Sequence, residues 1–300
     1  MKRLLFFVNP NAGHTEIRSS LMDVLQVFAE GGYEPTVHMT AAPRDLTRTI
    51  LAHGAEYDRI VCCGGDGTLN EAVSGLMGLP ADSRPPLGYI PGGTVNDEAS
   101  TLGLAKEPVA AARAIVTGRP FPIDIGSFGG DRFFTYVAAF GIFTGVAYST
   151  PQEDKRVLGR LAYFLGGVQQ LGDLHPTHVR VHCDELDVED DVLVGLVCST
   201  LSVGGFKVPE QFGVSLNDGY SELVLIRDIK NLADFSSVAS CLLRSDFSDP
   251  NYFTVCHTRS VRFSFDRPVA WTLDGEYGGD VRTVFLQNNC RAVDIIVPQQ

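Results

Sequence analysis

Positive charge is scarce in this chain: 24 Lys and Arg face 36 Asp and Glu, for a formal net charge of −12. That deficit excludes nucleic acid as a partner, because a nucleic-acid binder needs a broad basic footprint. It also sets the chain against anionic membrane surfaces unless a local basic or apolar patch compensates. Cysteines in metal-binding spacing are absent. Cys62 and Cys63 are adjacent, and Cys183, Cys198, Cys241, Cys256 and Cys290 are scattered. Such an odd, unpatterned set predicts reduced thiols in a cytoplasmic protein. Long apolar runs are missing too. Leu4 to Val8 stops at Asn9-Pro10, too short for a signal-peptide core. The uncharged stretch Phe133 to Gln152 is interrupted by Thr, Gly, Tyr and Ser, so it predicts buried structure and not a membrane span. Internal repeats, low-complexity segments and long linkers are not found.

What is present is a 300-residue chain, 44% hydrophobic and 20% charged, the profile of a soluble globular enzyme with two domains of ordinary size. Residues 1–124 alternate strand and helix patterns. Leu4 to Val8 is a continuous apolar run, as for a strand buried on both faces. Ile17, Leu21, Val24 and Phe28 recur at helical spacing until Gly31-Gly32. Strands are expected at Thr36 to Met39, Arg59 to Cys63 and Leu87 to Ile90, with helices at Arg44 to Ala52 and Thr68 to Met77. This alternation predicts an α/β domain with a parallel sheet, whose ligands sit beyond the carboxyl ends of the strands. Residues 125–286 change texture to short Val-, Thr-, Phe- and Tyr-rich runs: Phe133 to Phe140, Val179 to Cys183, Val192 to Val197, Leu223 to Ile226, Val261 to Phe265 and Val281 to Leu286. They predict a mainly antiparallel β-sandwich, interrupted by one helix near Asp154 to Leu171, with residues 287–300 returning to the first domain.

The chemistry concentrates in loops. Gly64-Gly65-Asp66-Gly67-Thr68-Leu69-Asn70-Glu71 follows the third strand directly. Glycines at a strand-to-helix turn let backbone N–H groups approach phosphate oxygens, and Thr68 is placed to cap the helix whose positive end faces them. A carboxylate at Asp66 repels phosphate unless Mg2+ lies between them or the carboxylate accepts a proton. Taken alone, the loop also reads as a tight turn without a ligand. Two further small-residue loops, Asn9-Pro10-Asn11-Ala12-Gly13 and Pro91-Gly92-Gly93-Thr94-Val95-Asn96-Asp97, leave the same sheet edge. Together the three describe a polyphosphate cradle. No G-x-x-x-x-G-K-[ST] occurs, and Asn70 stands where a dinucleotide fingerprint needs glycine.

These residues resemble the diacylglycerol kinase catalytic-domain family, above all its soluble bacterial lipid kinases. The landmarks run over nearly the whole chain: Asn9-Pro10-x-x-Gly13, Gly64 to Glu71, Pro91-x-Gly93-Thr94-x-Asn96-Asp97, Asp124-Ile125-Gly126, Asp218-Gly219 and Asp274-Gly275-Glu276. The Gly-Gly-Asp-Gly-Thr element alone is shared with NAD kinases and phosphofructokinases; the ordered set is far more specific. The resemblance implies ATP binding by Asn9, Pro10, Asn11, Gly13, Thr40, Gly64, Gly65, Asp66, Gly67, Thr68, Asn70, Glu71, Gly93, Thr94 and Asn96. It implies Glu276 as general base for the attacking lipid hydroxyl, with Asp66 and Asp274 beside the reaction. It implies Asp66, Asp97 and Asp124 around the catalytic Mg2+, and a second, structural Mg2+ at Asp218, Ser215 and Tyr220.

Bland readings stand beside several of these. Asp218-Gly219 and Asp274-Gly275 are ordinary hairpin-turn dipeptides. Asp124 serves equally as a hinge hydrogen-bonder, and Glu222, near Asp218, reads either as a support for that metal or, preferably, as a solvated strand carboxylate. Departures from the family's pattern are His14, where many relatives carry lysine, Glu98, where an aromatic is common, and Ser100, where some carry arginine. The expected substrate is a neutral lipid such as diacylglycerol, met at the inner face of the membrane. Its acyl chains are assigned to a cleft walled by residues 140–146 and 202–206. The helix at 154–171, with Lys155, Arg156 and Arg160 among apolar residues, reads either as an interfacial helix or, preferably, as one packed on its own domain. Relatives also make a homodimer an open expectation. The rivals are a kinase for another lipid, NAD or a sugar phosphate, and a silent lipid-binding protein with the same fold.

Overall fold

The structure, a computed structural model, describes residues 1–10, 16–93, 96–141, 175–199, 202–203, 206–207, 215–244 and 246–299. Two compact units divide the chain: Met1–Ile123 with Arg291–Gln300, and Asp124–Cys290.

The first unit runs β1 (Lys2–Val8), α1 (Glu16–Glu30), β2 (Tyr33–Met39), α2 (Asp45–His53), β3 (Arg59–Gly64), α3 (Asp66–Met77), β4 (Leu87–Pro91), α4 (Asp97–Thr101) and α5 (Pro108–Thr117). Strands β4, β3, β1 and β2 lie side by side, all parallel. Apolar side chains on both faces require cover on both faces, which helices supply. Leu4, Phe6 and Val8 pack with Val24 and Phe28 of α1 and with Ala111, Ala112 and Ile115 of α5. Phe6 meets Phe28 edge-on at 5.5 Å between centroids. Full burial of such side chains contributes about 1.5–3 kcal/mol each. Helices α2 and α3 pack on each other, with Gly75 seated against Ile50. Sequence reading passed over α5, although its start is well signalled: Pro108 opens the first turn and the Glu107 carboxylate accepts from Val109 N and Ala110 N at 2.9 and 2.6 Å.

The unit boundary falls within β5 (Arg119–Phe128) and again within β15 (Glu276–Val297). In the first unit, Ile295 of β15 pairs in parallel with Leu87 of β4. Between those two strands the chain forms β6 (Arg132–Phe134), β7 (Val137–Gly141), β8 (Thr177–His182), β9 (Asp187–Cys198), β10 (Ser202–Val203), β11 (Phe206–Lys207), β12 (Ser221–Arg227), α6 (Leu232–Leu243), β13 (Phe253–Thr258) and β14 (Ser260–Leu273).

The expected antiparallel texture is present, built by sharing long strands between pairings. Both β7 and β8 pair with β9 and with β14, so these four strands close a ring. Side chains from all four meet in one cluster containing Phe140, Val179, Val181, Val197, Phe263, Phe265 and Trp271. Gly195 lies flat against Phe140, where any Cβ would enter the ring. The other side of β9 packs on α6 through Leu196, Val238, Cys241 and Leu242. Helix α6 was not anticipated. Its signature is Asn231, whose Oδ1 accepts from Ala233 N and Asp234 N at 2.9 Å, followed by apolar Phe235, Val238, Cys241 and Leu242 at helical spacing. The helix expected at 154–171 lies outside the described residues.

Candidate functional site

The parallel register brings the phosphate-type loops together. Val8 pairs with Met39 and Cys63, and Gly64 with Pro91, so β1 to β4 all release their chains at one sheet edge. Asn9 N donates to Cys63 O and Thr40 N to Val8 O, which fixes Asn9 and Thr40 beside the Gly64–Thr68 turn. Gly92 N donates to Gly64 O at 2.7 Å, joining the β4 loop to the β3 loop. The two loops then touch glycine to glycine. A Cβ on Gly93 would lie 2.7 Å from the Gly65 Cα, closer than side-chain carbons come to anything. At exposed Gly67 nothing stands within 4 Å of where a Cβ would be.

Helix α3 begins at Asp66 with Gly65 as its cap, a residue with no side chain to close the first turn. Thr68 had been expected to cap it; instead its hydroxyl accepts from Asn9 Nδ2 at 3.3 Å and links the first loop to the second. The arrangement fits a polyphosphate, since helix N–H groups and an uncluttered glycine surface sit where anions gain most.

Two residues hold this cradle that were assigned to nucleotide contact or not singled out. Asn96 is buried in the left-handed conformation (φ 53°). Its Oδ1 accepts from Gly93 N at 3.0 Å, and its Nδ2 donates to Gly93 O at 2.6 Å. The structure therefore gives Asn96 the task of shaping the third loop. Tyr89 was missed. Its buried hydroxyl lies 3.1 Å from both Gly64 O and Asn96 Oδ1, bracing two loops at once. Burial, and then the neighbouring charge of Asp66, raise its pKa well above the usual tyrosine range, so it stays a donor. A buried Tyr one strand away carries no local motif, so sequence offered only its place in an apolar run.

Glu71 accepts from Arg44 N at 2.9 Å and tethers α3 to the start of α2; Asn70 accepts from Ser74 Oγ at 3.5 Å. Glu98 is buried and Ser100 exposed in α4. Asn11, Gly13, His14 and Thr94 lie outside the described residues, as does the side chain of Asp97.

In the second unit, Leu273 pairs with Glu276 across a two-residue Asp274-Gly275 turn with positive φ at both positions (48° and 82°). Asp274, expected beside the reaction, is held by the chain around it. It is buried, and its Oδ2 accepts from Thr135 N and Oγ1 at 2.7 and 2.9 Å, its Oδ1 from Tyr136 N and Val137 N at 3.0 and 3.1 Å. A carboxylate so occupied positions the hairpin. The same bonds split the expected strand 133–140 into β6 and β7, because the amides between them turn toward Asp274. Glu276, next along, is exposed.

The structure gathers Asp124, Asp218 and Glu222 in one place. Asp124 Oδ2 accepts from Gly219 N at 2.6 Å, so this residue clamps the Asp218-Gly219 turn. Tyr220 N donates to Asp218 Oδ1 at 2.9 Å, and Ser215 Oγ donates to Asn217 Oδ1 at 3.2 Å. Glu222 is not the solvated carboxylate that was expected. It is 2% exposed, and among the described residues neither of its oxygens accepts from another residue's side chain or backbone. Burial first, then the charges of Asp218 and Asp124, push its pKa up to about 8. His257 Nε2 stands 3.6 Å from Glu222 and 3.8 Å from Asp218. Clustered hard oxygen donors suit Mg2+, so these residues fit such an ion.

Comparison with known proteins bears on this arrangement. The diacylglycerol kinase catalytic domain family matches residues 3–128. A diacylglycerol kinase of Bacillus subtilis strain 168 is 37% identical over 304 residues, covering 100% of this chain and 98% of its own. A diacylglycerol kinase of Staphylococcus epidermidis is 32% identical, covering 99% and 93%. A crystal structure of a diacylglycerol kinase from Bacillus anthracis str. Sterne shares the fold with TM-score 0.76 at 20% identity, covering 99% of this chain and 97% of that one. Another structure from the same strain reaches TM-score 0.83 at 23% identity over the same shares. The nucleotide-type cradle and the match along the chain place this protein among lipid kinases that use ATP. It belongs to the diacylglycerol kinase family.

Proposed function

We propose that this protein transfers the γ-phosphoryl group of ATP to the hydroxyl of diacylglycerol, giving phosphatidic acid. The observation that carries the reading is the glycine-on-glycine contact of the β3 and β4 loops over the open start of α3. The backbone N–H groups of Gly65 to Gly67 hold the phosphates, Asn9 and Thr40 flank them, and Thr94 is assigned to the same nucleotide. Asp66 and Asp97 are the carboxylates assigned to Mg2+ near the reaction, and Asp218, Ser215 and Tyr220, with Asp124 and Glu222, to the structural Mg2+. When bound, Mg2+ offsets the charge that the phosphates bring together. Glu276 takes the proton of the attacking hydroxyl as the oxygen–phosphorus bond forms and ADP leaves. Asp274 keeps Glu276 in place.

Among the described residues no helix is long and apolar enough to cross a membrane. The enzyme in this reading visits the cytoplasmic membrane surface to meet its lipid. The expected acyl-chain segments fall mostly on residues outside the described set, and the homodimer is an open proposal that size measurement in solution decides.

The experiment uses labelled ATP and Mg2+ with a panel of neutral lipids in mixed micelles, alongside NAD and fructose 6-phosphate. Label is expected in phosphatidic acid and absent after Asp66→Ala or Glu276→Gln in folded protein. Label in NAD alone, or none in any acceptor, overturns the reading.

A further inference from the structure

The sequence scatters its cysteines, yet folding brings two of them together. Cys183 follows β8 in the turn to β9, and Cys256 lies on β13, which has β12 as its neighbour at the end of the sheet. Their Sγ atoms stand 3.7 Å apart. One ligand atom from each of Cys183, Glu185 and Cys256 falls within 4.8 Å of the others. All three belong to the second unit, and they differ in ligand chemistry from the hard-oxygen cluster, which lies next to them across the β12–β13 pairing.

The spacing is meaningful for a soft divalent ion. Two Zn–S bonds of about 2.3 Å at the tetrahedral angle put their sulfurs about 3.8 Å apart. A disulfide would need the sulfurs near 2 Å, with both chains drawn closer. Two thiolates and a carboxylate also match the ligand types of Zn2+ and not those of Mg2+. Cys183 N donates to Leu186 O at 2.8 Å, closing the tight turn that holds Glu185 beside Cys183. Glu185 is exposed and Cys256 half-buried, so an ion has a way in and a water has room for the fourth position. Cys183 is buried, as a fixed ligand should be.

We propose that Cys183, Glu185 and Cys256 form a zinc-class metal site that staples the β8–β9 turn to strand β13. Binding forms two metal–sulfur bonds and one metal–oxygen bond, with the thiol protons released to solvent; no electron transfer is involved. The ion then holds a strand whose outer edge has no partner among the described residues.

The test uses the full chain, stripped with chelator and titrated with Co2+ as a spectroscopic stand-in. A sulfur-to-cobalt charge-transfer band in the near ultraviolet is expected, saturating at one equivalent and displaced by Zn2+. Cys256→Ser should abolish the band, and Glu185→Gln should weaken binding about tenfold or more while keeping it. Cys290→Ser, at an exposed cysteine elsewhere, should leave it intact. Cys183→Ser puts a polar group at a buried position, so the exposed-side variants decide, with circular dichroism as the folding check. Zn2+ should raise the Tm of the wild type and not that of Cys256→Ser. No band in the wild type, or an undiminished band in folded Cys256→Ser, overturns the site and leaves a thiol–thiol contact only.

Discussion

Asp274→Ala removes an acceptor that gathers the Thr135, Tyr136 and Val137 amides and the Thr135 hydroxyl at 2.7–3.1 Å. Each buried amide left without an acceptor costs about 1–3 kcal/mol. Water entering the gap and local relaxation recover part of this, so three amides give a loss of about 3–6 kcal/mol. A domain's whole stability is about 5–15 kcal/mol, so the second unit should be close to failing. Urea unfolding followed by the fluorescence of Trp271, which sits in the ring of strands beside this turn, reads the loss directly. Asp274→Asn should lie between, because one of its two acceptor oxygens becomes an NH2 that faces N–H donors. The reasoning fails if Asp274→Ala unfolds within about 1 kcal/mol of the wild type. A stable but inactive variant would return Asp274 to the reacting groups.

The neighbouring Glu276→Gln should behave in the opposite way, with kcat down about 100-fold or more and Tm unchanged, since the residue is exposed. Gly93→Ala puts a Cβ 2.7 Å from the Gly65 Cα, so calorimetry should show ATP binding weakened about tenfold. Tyr89→Phe removes the brace between Gly64 and Asn96 and should destabilise the first unit by about 1 kcal/mol, read by thermal melting, with a raised KM for ATP. Glu222 carries its folded pKa, about 8, above its unfolded value, so the folded state holds the extra proton between them. Its contribution is complete below about pH 4.5 and disappears as pH rises through about 8, on the order of a few kcal/mol. Without Mg2+, wild-type stability should fall over that window, and Glu222→Gln should flatten the curve.

Legibility differed sharply between the two units. In the first, β1, β3 and β4 were readable because apolar runs such as Leu4 to Val8 need no partner to announce burial on both faces. The glycine loops were readable because a phosphate turn demands glycine locally. Missed there were Tyr89 and the structural use of Asn96, whose roles arise between loops and not within one. In the second unit, the Asp274-Gly275 dipeptide located the β14–β15 hairpin, but the 133–140 run hid a break imposed by Asp274, a residue more than a hundred positions away. Glu222 is a lone charge at the start of the apolar run Leu223 to Ile226; only the strands around it reveal that it is buried beside Asp124 and Asp218.

Sequence by itself determined the kinds of element, the three small-residue loops after parallel strands and the family to which their order belongs. These features depend on backbone conformation and on neighbours a few residues apart, so they are written in consecutive letters. Tertiary structure alone decided which carboxylates are spent on backbone amides, which are crowded into burial, and that Cys183 and Cys256 lie 3.7 Å apart. Desolvation and hydrogen-bond saturation depend on what surrounds a side chain in space, and strand pairing draws that surrounding from distant parts of the chain.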